Sequence, residues 1–330
     1  MQPQQTNDIE KVSVAICTYN GKNYILEQLN SIANQTVKPD EIVICDDCSK
    51  DDTIYIIKQF VSNTNIRVRL NTNDYNIGYT LNFQKCLGLC LGNLIFMSDQ
   101  DDIWYPKKIE NVISIFANNP HLIGVTHDGR LVDEEGQWSG RTKNRQIRDG
   151  YGSNVNCITG ALSCIRSKSL EFILPIPEDI NGHDIWMNYI FELLPDFWSF
   201  SDLLLQDLRR HSHNTSDWVV NSFNPISRID VIKDQFISQV APSYTDRLSM
   251  NKEMTKRLNS FIVDYIYIPN DILIEINAAL RNENKALHMR QALADNPSKL
   301  ARVFYALKIF VFGGYKYFNG YFSFIRDLLR

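Results

Sequence analysis

A cluster of three aspartates is the most distinctive chemical pattern in the sequence. Asp99, Asp101 and Asp102 stand within four positions of one another, directly after the apolar run 94–97, which predicts a strand buried on both faces. Ionised carboxylates this close repel one another, so the cluster is costly unless a cation binds it. Carboxylate oxygens suit Mg²⁺ and Mn²⁺, which also bind phosphate oxygens. The pattern predicts a divalent-metal site; the alternative is an aspartate-rich helix cap, which needs only one carboxylate.

Strands and helices alternate from Val12 to Phe116, which predicts an α/β fold with a mainly parallel sheet covered by helices. The apolar runs that predict strands are 12–17, 41–45, 66–70 and 94–97. Helical spacing follows at 24–33, 54–60, 81–90 and 107–116. Because ligands bind at the carboxyl ends of the strands in such sheets, we expect the functional site there.

Polar side chains follow two further predicted strands at this edge of the sheet. Thr18, Tyr19 and Asn20 come after the first strand, and Asp46 and Asp47 come after the second. An aspartate can accept hydrogen bonds from a ribose or base, and a tyrosine can stack on a base. Helix capping and simple packing are the alternatives. Together these residues predict a nucleotide pocket in which metal holds the phosphates, since the sequence has no glycine-rich phosphate loop.

These motifs resemble those of the inverting family-2 glycosyltransferases, which have the GT-A fold. The similarity runs through 12–20, 46–53, 76–78 and 98–102 and covers roughly the first two-thirds of the chain. It implies that Asp99 and Asp101, as a D-x-D motif, hold Mn²⁺ or Mg²⁺ on the diphosphate of a nucleotide sugar. It also implies that Tyr19 and Asp47 face the base and ribose. The residues that we add to the donor-binding set are Thr18, Asn20, Asn76 and Gly78, and Asp102 joins the metal ligands.

Later segments resemble bacterial rhamnosyltransferase-like members of the family. Segments 159–160, 175–177 and 183–186 resemble a region in which an aspartate before a tryptophan is the catalytic base, a role that falls on Asp184. Segment 209–214 resembles an R-x-H-x-x-N motif whose histidine, here His211, lies near the diphosphate and metal. Ile185 and His213 differ from the commoner residues of these motifs, so the sugar is not fixed. The resemblance favours dTDP-rhamnose as donor, with a UDP-hexose close behind.

An inverting transfer needs a carboxylate to take the acceptor proton and a cation to stabilise the leaving diphosphate. A predicted helix starts at Asp184, where the helix N-terminus favours an ionised carboxylate; the alternative is that Asp184 only caps this helix. The alternative for His211 is a surface imidazole in a basic loop.

We expect transfer of a hexose or deoxyhexose to a lipid-linked or surface-polysaccharide acceptor. The competing functions are an inactive nucleotide-sugar-binding scaffold and a metal-dependent nucleotidyltransferase.

The length and composition of the chain limit its possible domain organisation, partners and compartment. With 330 residues and a net charge of −4, the chain has room for one large domain and a smaller one, and its charge argues against a nucleic-acid partner. The polar opening does not predict a signal peptide, and the cysteines favour a reducing cytosol. We expect a disordered segment 1–10, a GT-A domain 11–222 and a helical region 223–330. Residues 133–152 are polar, which predicts a mobile acceptor loop.

The last segment, 298–330, mixes aromatic residues with lysine and arginine around a single acid, Asp327. Gly313 and Gly314 interrupt it, so it does not fit a membrane span. A basic, aromatic, amphipathic segment suits peripheral contact with the inner face of the plasma membrane. Packing on the domain and a homodimer contact are the alternatives.

Overall fold

The computed structural model describes residues 10–153, 155–211, 222–231, 244–261, 269–296, 298–318 and 320–329. Most of the segment predicted to be disordered, 1–10, therefore lies outside the described residues. The chain divides into two compact units. The first comprises Met1–Ile176 and Asn181–Gln239, and the second comprises Pro177–Ile180 and Val240–Arg330.

The first half of the sheet in unit 1 is parallel, as the alternating pattern predicts. Its strands are β1 (Val12–Thr18), β2 (Glu41–Asp46), β3 (Arg67–Thr72) and β4 (Leu94–Ser98), in the order β3-β2-β1-β4. The helices between and after them are α1 (Ile25–Ala33), α2 (Thr53–Asn63), α3 (Tyr79–Leu89) and α4 (Lys108–Asn118). Thr18 pairs with Asp46 and Ile16 pairs with Ser98, so the carboxyl ends of β1, β2 and β4 are adjacent. The predicted α/β architecture is confirmed.

The second half of the sheet is mixed. Its strands are β5 (Ile103–Trp104), β6 (Gly124–Val132), β7 (Trp138–Thr142), β8 (Ser163–Arg166) and β9 (Trp198–Arg209). The order continues from β4 as β8-β6-β9-β5, with β7 paired to β6, and only the β6–β9 pair is parallel among these pairings. Ile103 pairs with Asp207 across β5 and β9. This pairing brings the end of β9 beside the aspartate cluster.

The prediction of a mobile loop over 133–152 is wrong. The segment contains β7 and α5 (Lys143–Tyr151), and several polar side chains of α5 are buried. Gln146 Nε2 donates to the carbonyl oxygens of Ser222 at 3.1 Å and Asn224 at 2.7 Å. Asp128 Oδ1 accepts from the N–H of Asn144 at 3.0 Å, so Asp128 fixes the start of α5. These hydrogen bonds let a polar helix be buried, which a hydropathy pattern does not reveal.

Two further helices of unit 1 are α6 (Leu170–Ile173) and α7 (His183–Leu193). The core lies between the sheet and the helices, and its apolar strand residues include Ile16, Ile44 and Phe96, each with 0% exposure. They pack against Ile25 and Leu29 of α1. Neighbouring residues along β1, β2 and β4 are buried, so these strands are covered on both faces of the sheet.

Gly92 has a steric role just before β4. A Cβ atom at this position would lie 2.5 Å from the backbone nitrogen of Ser13 and 2.8 Å from the carbonyl oxygen of Lys11. Because backbone atoms cannot move aside cheaply, we expect Gly92→Ala to lower the free energy of unfolding by about 2–3 kcal/mol, measured by urea denaturation. Gly88→Ala is the matched control, since its Cβ would meet only Leu174 Cδ1 at 4.0 Å. Equal stabilities of the two variants would contradict this packing.

Unit 2 is helical in its described residues, which confirms the predicted helical C-terminal region. Its helices are α8 (Tyr244–Phe261), α9 (Asn270–Asp295), α10 (Lys299–Val311) and α11 (Gly320–Leu329). Arg290 Nε donates to Asp327 Oδ2 at 2.8 Å in a buried ion pair, which Tyr315 joins through its hydroxyl at 3.1 Å. Among the described helices, none is both long enough and apolar enough to cross a membrane. Residues 232–243 and 262–268 of the predicted helical region lie outside the described residues.

Candidate active site

Two hydrogen bonds join the loop after β1 to the loop after β4, which carries the aspartate cluster. Tyr19 donates its N–H to Gln100 Oε1 at 2.9 Å, and Gln100 Nε2 donates back to the carbonyl oxygen of Tyr19 at 3.1 Å. Gln100 lies between Asp99 and Asp101, so this pair of hydrogen bonds fixes the two loops relative to each other. The Tyr19 side chain is 46% exposed and is accessible to a stacking ligand.

The loops after β1 and β2 are also joined by side-chain hydrogen bonds. Asp46 accepts from Thr18 Oγ1 at 2.7 Å and from Ser49 Oγ at 2.6 Å. Asn20 has a φ of +49°, a conformation that asparagine tolerates better than most residues, and its Oδ1 accepts from the N–H of Lys50 at 2.8 Å. Thr18 and Asn20 therefore stabilise the two loops at this edge of the sheet.

Asp47 fixes the loop that precedes α3. It is buried, and its carboxylate accepts from Asn73 Nδ2 at 2.8 Å, from the N–H of Ile77 at 2.8 Å and from the N–H of Gly78 at 2.9 Å. Asn76 Oδ1 also accepts from the N–H of Gly78, at 3.1 Å. Gly78 has a φ of +85°, which favours glycine. The structure thus brings three of the predicted donor-binding residues, Asp47, Asn76 and Gly78, into one loop junction. Their roles toward a nucleotide stay predictions.

The aspartate cluster is close enough to bind one cation. Asp99, Asp101 and Asp102 each offer a carboxylate oxygen, and these atoms lie within 4.8 Å of one another. Asp99 is the most exposed of the three. Burial and the charge of Asp101 raise the pKa of Asp99 to about 7, and burial and the same neighbour raise the pKa of Asp102. The repulsion expected from the sequence is therefore present, and an oxygen donor set of this kind fits Mg²⁺ or Mn²⁺.

His211 joins the cluster from the end of β9. Its Nε2 atom lies 2.7 Å from Asp101 Oδ2, and its ring stacks on Tyr24 with centroids 4.9 Å apart. Arg209 donates through Nε to the carbonyl oxygen of Asp101 at 3.0 Å, and its backbone N–H donates to Asp102 Oδ1 at 3.3 Å. The imidazole is therefore positioned to share a cation with Asp101. Tyr24 is a supporting residue that the sequence analysis missed.

Asp102 is held from inside the protein by two further residues that the sequence analysis missed. Gln206 Nε2 donates to Asp102 Oδ2 at 2.8 Å, and the fully buried Lys108 donates to Gln206 Oε1 and to the carbonyl oxygen of Ala161 at 3.2 Å. The Lys108 ammonium also lies 3.7 Å from the centroid of the Trp104 ring. This chain of contacts orients Asp102, and burial lowers the pKa of Lys108 well below its usual range.

Asp184 lies in the first turn of α7. Its Oδ1 accepts from the N–H of Ile185 at 2.9 Å. The residue before the helix is Gly182, which has no side chain to cap it. The charge of Asp184 is one cause of the raised pKa of Asp99, so the two carboxylates are near enough to repel each other. Burial lowers the pKa of Lys143, another neighbour of this charge, to about 7. The structure therefore brings Asp184 to the same region as the aspartate cluster.

The start of α7 also explains a glycine that the sequence analysis singled out. A Cβ atom on Gly160 would lie 2.2 Å from Nε2 of His183, the residue before Asp184. The His183 ring is buried, with its centroid 4.1 Å from that of Phe83. Gly160 therefore leaves the space that His183 fills, and the packed imidazole anchors the first turn of α7.

Comparisons with known proteins show the family to which the chain is similar. The family model "Glycosyl transferase family 2" matches residues 13–174. The chain is 37% identical over 187 residues to UDP-Glc:alpha-D-GlcNAc-diphosphoundecaprenol beta-1,3-glucosyltransferase WfaP of Escherichia coli, covering 55% of this chain and 71% of that protein. It is 27% identical over 262 residues to dTDP-rhamnosyl transferase RfbG of Shigella flexneri, covering 73% and 88% respectively. The chain spans less than half the length of several other curated relatives that it matches.

A solved structure shares the fold. TarS 1-349 of S. aureus, crystallised in complex with UDP, superposes with a TM-score of 0.51 at 17% identity, covering 83% of this chain and 71% of that chain. At this level of identity the likeness concerns the fold, and it agrees with the GT-A architecture expected from the sequence motifs.

Proposed function

Because the chain belongs to family 2 of the glycosyltransferases, we propose that it is an inverting, metal-dependent enzyme that acts on a nucleotide diphosphate sugar. It transfers a hexose or deoxyhexose to a hydroxyl of a lipid-linked or surface-polysaccharide acceptor. The observation that carries the proposal is the meeting of side chains from three separate parts of the chain. The aspartate cluster follows β4, His211 follows β9 and Asp184 lies in α7, and all of them lie around the same polar region.

In this proposal Asp99, Asp101 and His211 hold the divalent cation. When bound, Mg²⁺ or Mn²⁺ neutralises the charge on the leaving diphosphate. Asp101 is central, because its carboxylate lies 2.7 Å from His211 and is flanked by the other two aspartates. Asp102 is an outer member of the set, since Gln206 and the backbone of Arg209 already donate to its two oxygens.

The loops after β1, β2 and β3 form the proposed nucleotide pocket. Tyr19 is exposed and stacks on the base, while Asp47 contacts the ribose region and holds its own loop. The remaining members of this set shape the pocket wall and are Thr18, Asn20, Asn76 and Gly78. We propose the catalytic domain as 11–222 and the helical region as 223–330, with the enzyme acting in the cytoplasm.

Asp184 is the proposed catalytic base. It accepts the proton of the acceptor hydroxyl while that oxygen bonds to the anomeric carbon from the face opposite the diphosphate. The bond from the anomeric carbon to the diphosphate oxygen breaks with its electron pair on the diphosphate, so the anomeric configuration inverts. Asp184 lies in the first turn of α7, so its carboxylate is near the backbone N–H groups at the start of the helix.

The names of two relatives support the choice of substrates. WfaP is named for a UDP-glucose donor and a diphosphoundecaprenol acceptor, and RfbG is named as a dTDP-rhamnosyl transferase. We therefore propose a UDP-hexose or dTDP-rhamnose as donor, and an acceptor carried on a lipid diphosphate.

Incubation of the protein with Mn²⁺ and a panel of UDP- and dTDP-sugars tests this function. We expect one donor to release its nucleoside diphosphate, at a rate that falls when the metal is chelated and rises with a lipid-linked acceptor. The anomeric configuration of the product, read by NMR, is expected to be opposite to that of the donor. Release of pyrophosphate would instead indicate a nucleotidyltransferase, and binding without release would indicate a nucleotide-sugar-binding protein.

A further inference from the structure

The outward face of α10 is apolar. Leu300 is 85% exposed, Phe304 63% and Val311 76%. Exposed apolar residues recur along the helix at i, i+3, i+4, i+7, i+10 and i+11, so they form one continuous stripe. The members of this stripe are Leu300, Val303, Phe304, Leu307, Phe310 and Val311.

The opposite face of α10 is apolar as well, and it is used for packing within unit 2. Ala306 and Ile309 are buried and pack in a cluster with Leu293 of α9 and Tyr315. A surface helix of a globular protein usually has one apolar stripe, which faces the core. The second stripe of α10 is therefore not explained by the packing of unit 2.

The stripe continues onto neighbouring residues. Phe310 stacks on Phe324 of α11 with centroids 4.5 Å apart, and its ring lies 5.8 Å from that of Tyr321. Tyr321 and Phe312 are both exposed. Within the described residues, no other stretch of this length has as many exposed large apolar side chains as 300–325. The result is one extended patch, formed by α10, the turn after it and α11, which we call the α10–α11 patch.

The exposed charges that segment 298–330 itself contributes beside the α10–α11 patch are positive. At about 100° per residue, Lys299 and Lys308 lie on opposite borders of the α10 stripe, and both are exposed, as is Lys316. The single acid of segment 298–330 is Asp327, and it is buried in its ion pair with Arg290. This segment therefore offers an apolar stripe bordered by lysines, without an exposed acid of its own.

We propose that the α10–α11 patch docks on a bilayer containing anionic lipids, with α10 lying in the plane of the interface. Leu300, Phe304 and Leu307 would enter the acyl region, while the bordering lysines extend to the lipid phosphates. A second copy of the chain fits this face less well, because an isologous contact would offer the bordering lysines no exposed acid from segment 298–330. Only the purpose of this docking surface rests on the proposed function. Docking would hold the enzyme at a membrane that carries a lipid-linked acceptor.

Vesicle flotation of the full-length protein tests this surface. We expect flotation with vesicles of phosphatidylcholine and phosphatidylglycerol, little with phosphatidylcholine alone, and weaker binding in high salt. The double variant Phe304→Ser/Leu307→Ser is expected to lower the partition coefficient about tenfold or more. Lys299→Glu/Lys308→Glu is expected to abolish the preference for anionic vesicles. The matched control is Ile229→Ser/Ile274→Ser, which removes side chains that are 63% and 68% exposed elsewhere, and it should float like the wild type.

Two results would overturn the proposal. One is a wild-type protein that does not float with anionic vesicles, or a Phe304→Ser/Leu307→Ser variant that floats as well as the wild type. The other is a dimer, seen by light scattering, that this variant dissociates without any vesicle binding, since the α10–α11 patch would then be a contact between copies. Nucleoside diphosphate release in solution is expected to be unchanged in all these variants. A failure of docking is therefore distinguishable from a failure of the proposed reaction.

Discussion

Replacement of Asp184 by asparagine is expected to lower kcat about a thousandfold or more while leaving the Kd for the nucleoside diphosphate nearly unchanged. The amide keeps the size of the side chain and its place in the first turn of α7, but it cannot take the acceptor proton. Turnover would be followed by nucleoside diphosphate release, and binding by calorimetry in the presence of Mn²⁺.

The control for this variant is Asp196→Asn, which changes an exposed aspartate shortly after the same helix. It should keep wild-type kcat and Kd. If Asp184→Asn lost nucleotide binding in parallel with turnover, or if its thermal unfolding midpoint fell sharply, Asp184 would be a structural residue and the base would have to be sought elsewhere.

Asp101→Ala is expected to remove the dependence of nucleotide affinity on the metal. In the wild type, Mn²⁺ should tighten binding of the nucleoside diphosphate, because a cation held by the aspartates would offset the negative charge of the diphosphate. Loss of Asp101 takes away the central carboxylate and the partner of His211. We expect the Kd measured with Mn²⁺ to weaken about 10- to 100-fold, approaching the value measured in EDTA.

Glu171→Ala is a suitable control, since Glu171 is an exposed carboxylate on α6 outside the cluster. It should retain the full effect of Mn²⁺. Calorimetry that gave the same Kd with Mn²⁺ and with EDTA, in the wild type, would defeat the assignment of the aspartates to a metal.

The parallel half of the sheet could be predicted because its signals are local. Each of β1, β2 and β4 is a short apolar run followed by a helical pattern, so alternation alone indicates parallel crossovers. The mixed half could not be predicted in this way. The neighbours of β6 are β7, β8 and β9, and the antiparallel or parallel sense of each pair depends on contacts between distant segments. The buried polar helix α5 was missed for a related reason, since its partners Ser222 and Asn224 lie far along the chain.

The same difference between local signals and contacts of distant segments applies to the candidate site. The aspartates after β4 could be predicted because they lie within four positions of one another, and His211 and Asp184 were found through motifs. Lys108 and Gln206 were missed because they meet only in the folded chain, 98 positions apart. One local signal did exist: Lys108 lies at i and i+4 spacing with Val112 on the buried face of α4, where an unpaired lysine would be costly.

The most direct test is an anomalous-scattering crystal structure of the protein grown with Mn²⁺ and UDP or dTDP. We predict a manganese peak bound by Asp101 and His211, with oxygens of the diphosphate completing the coordination and the base near Tyr19. The contrary result is a nucleotide bound without manganese, or elsewhere on the protein, while the side chains of the aspartate cluster face away from it.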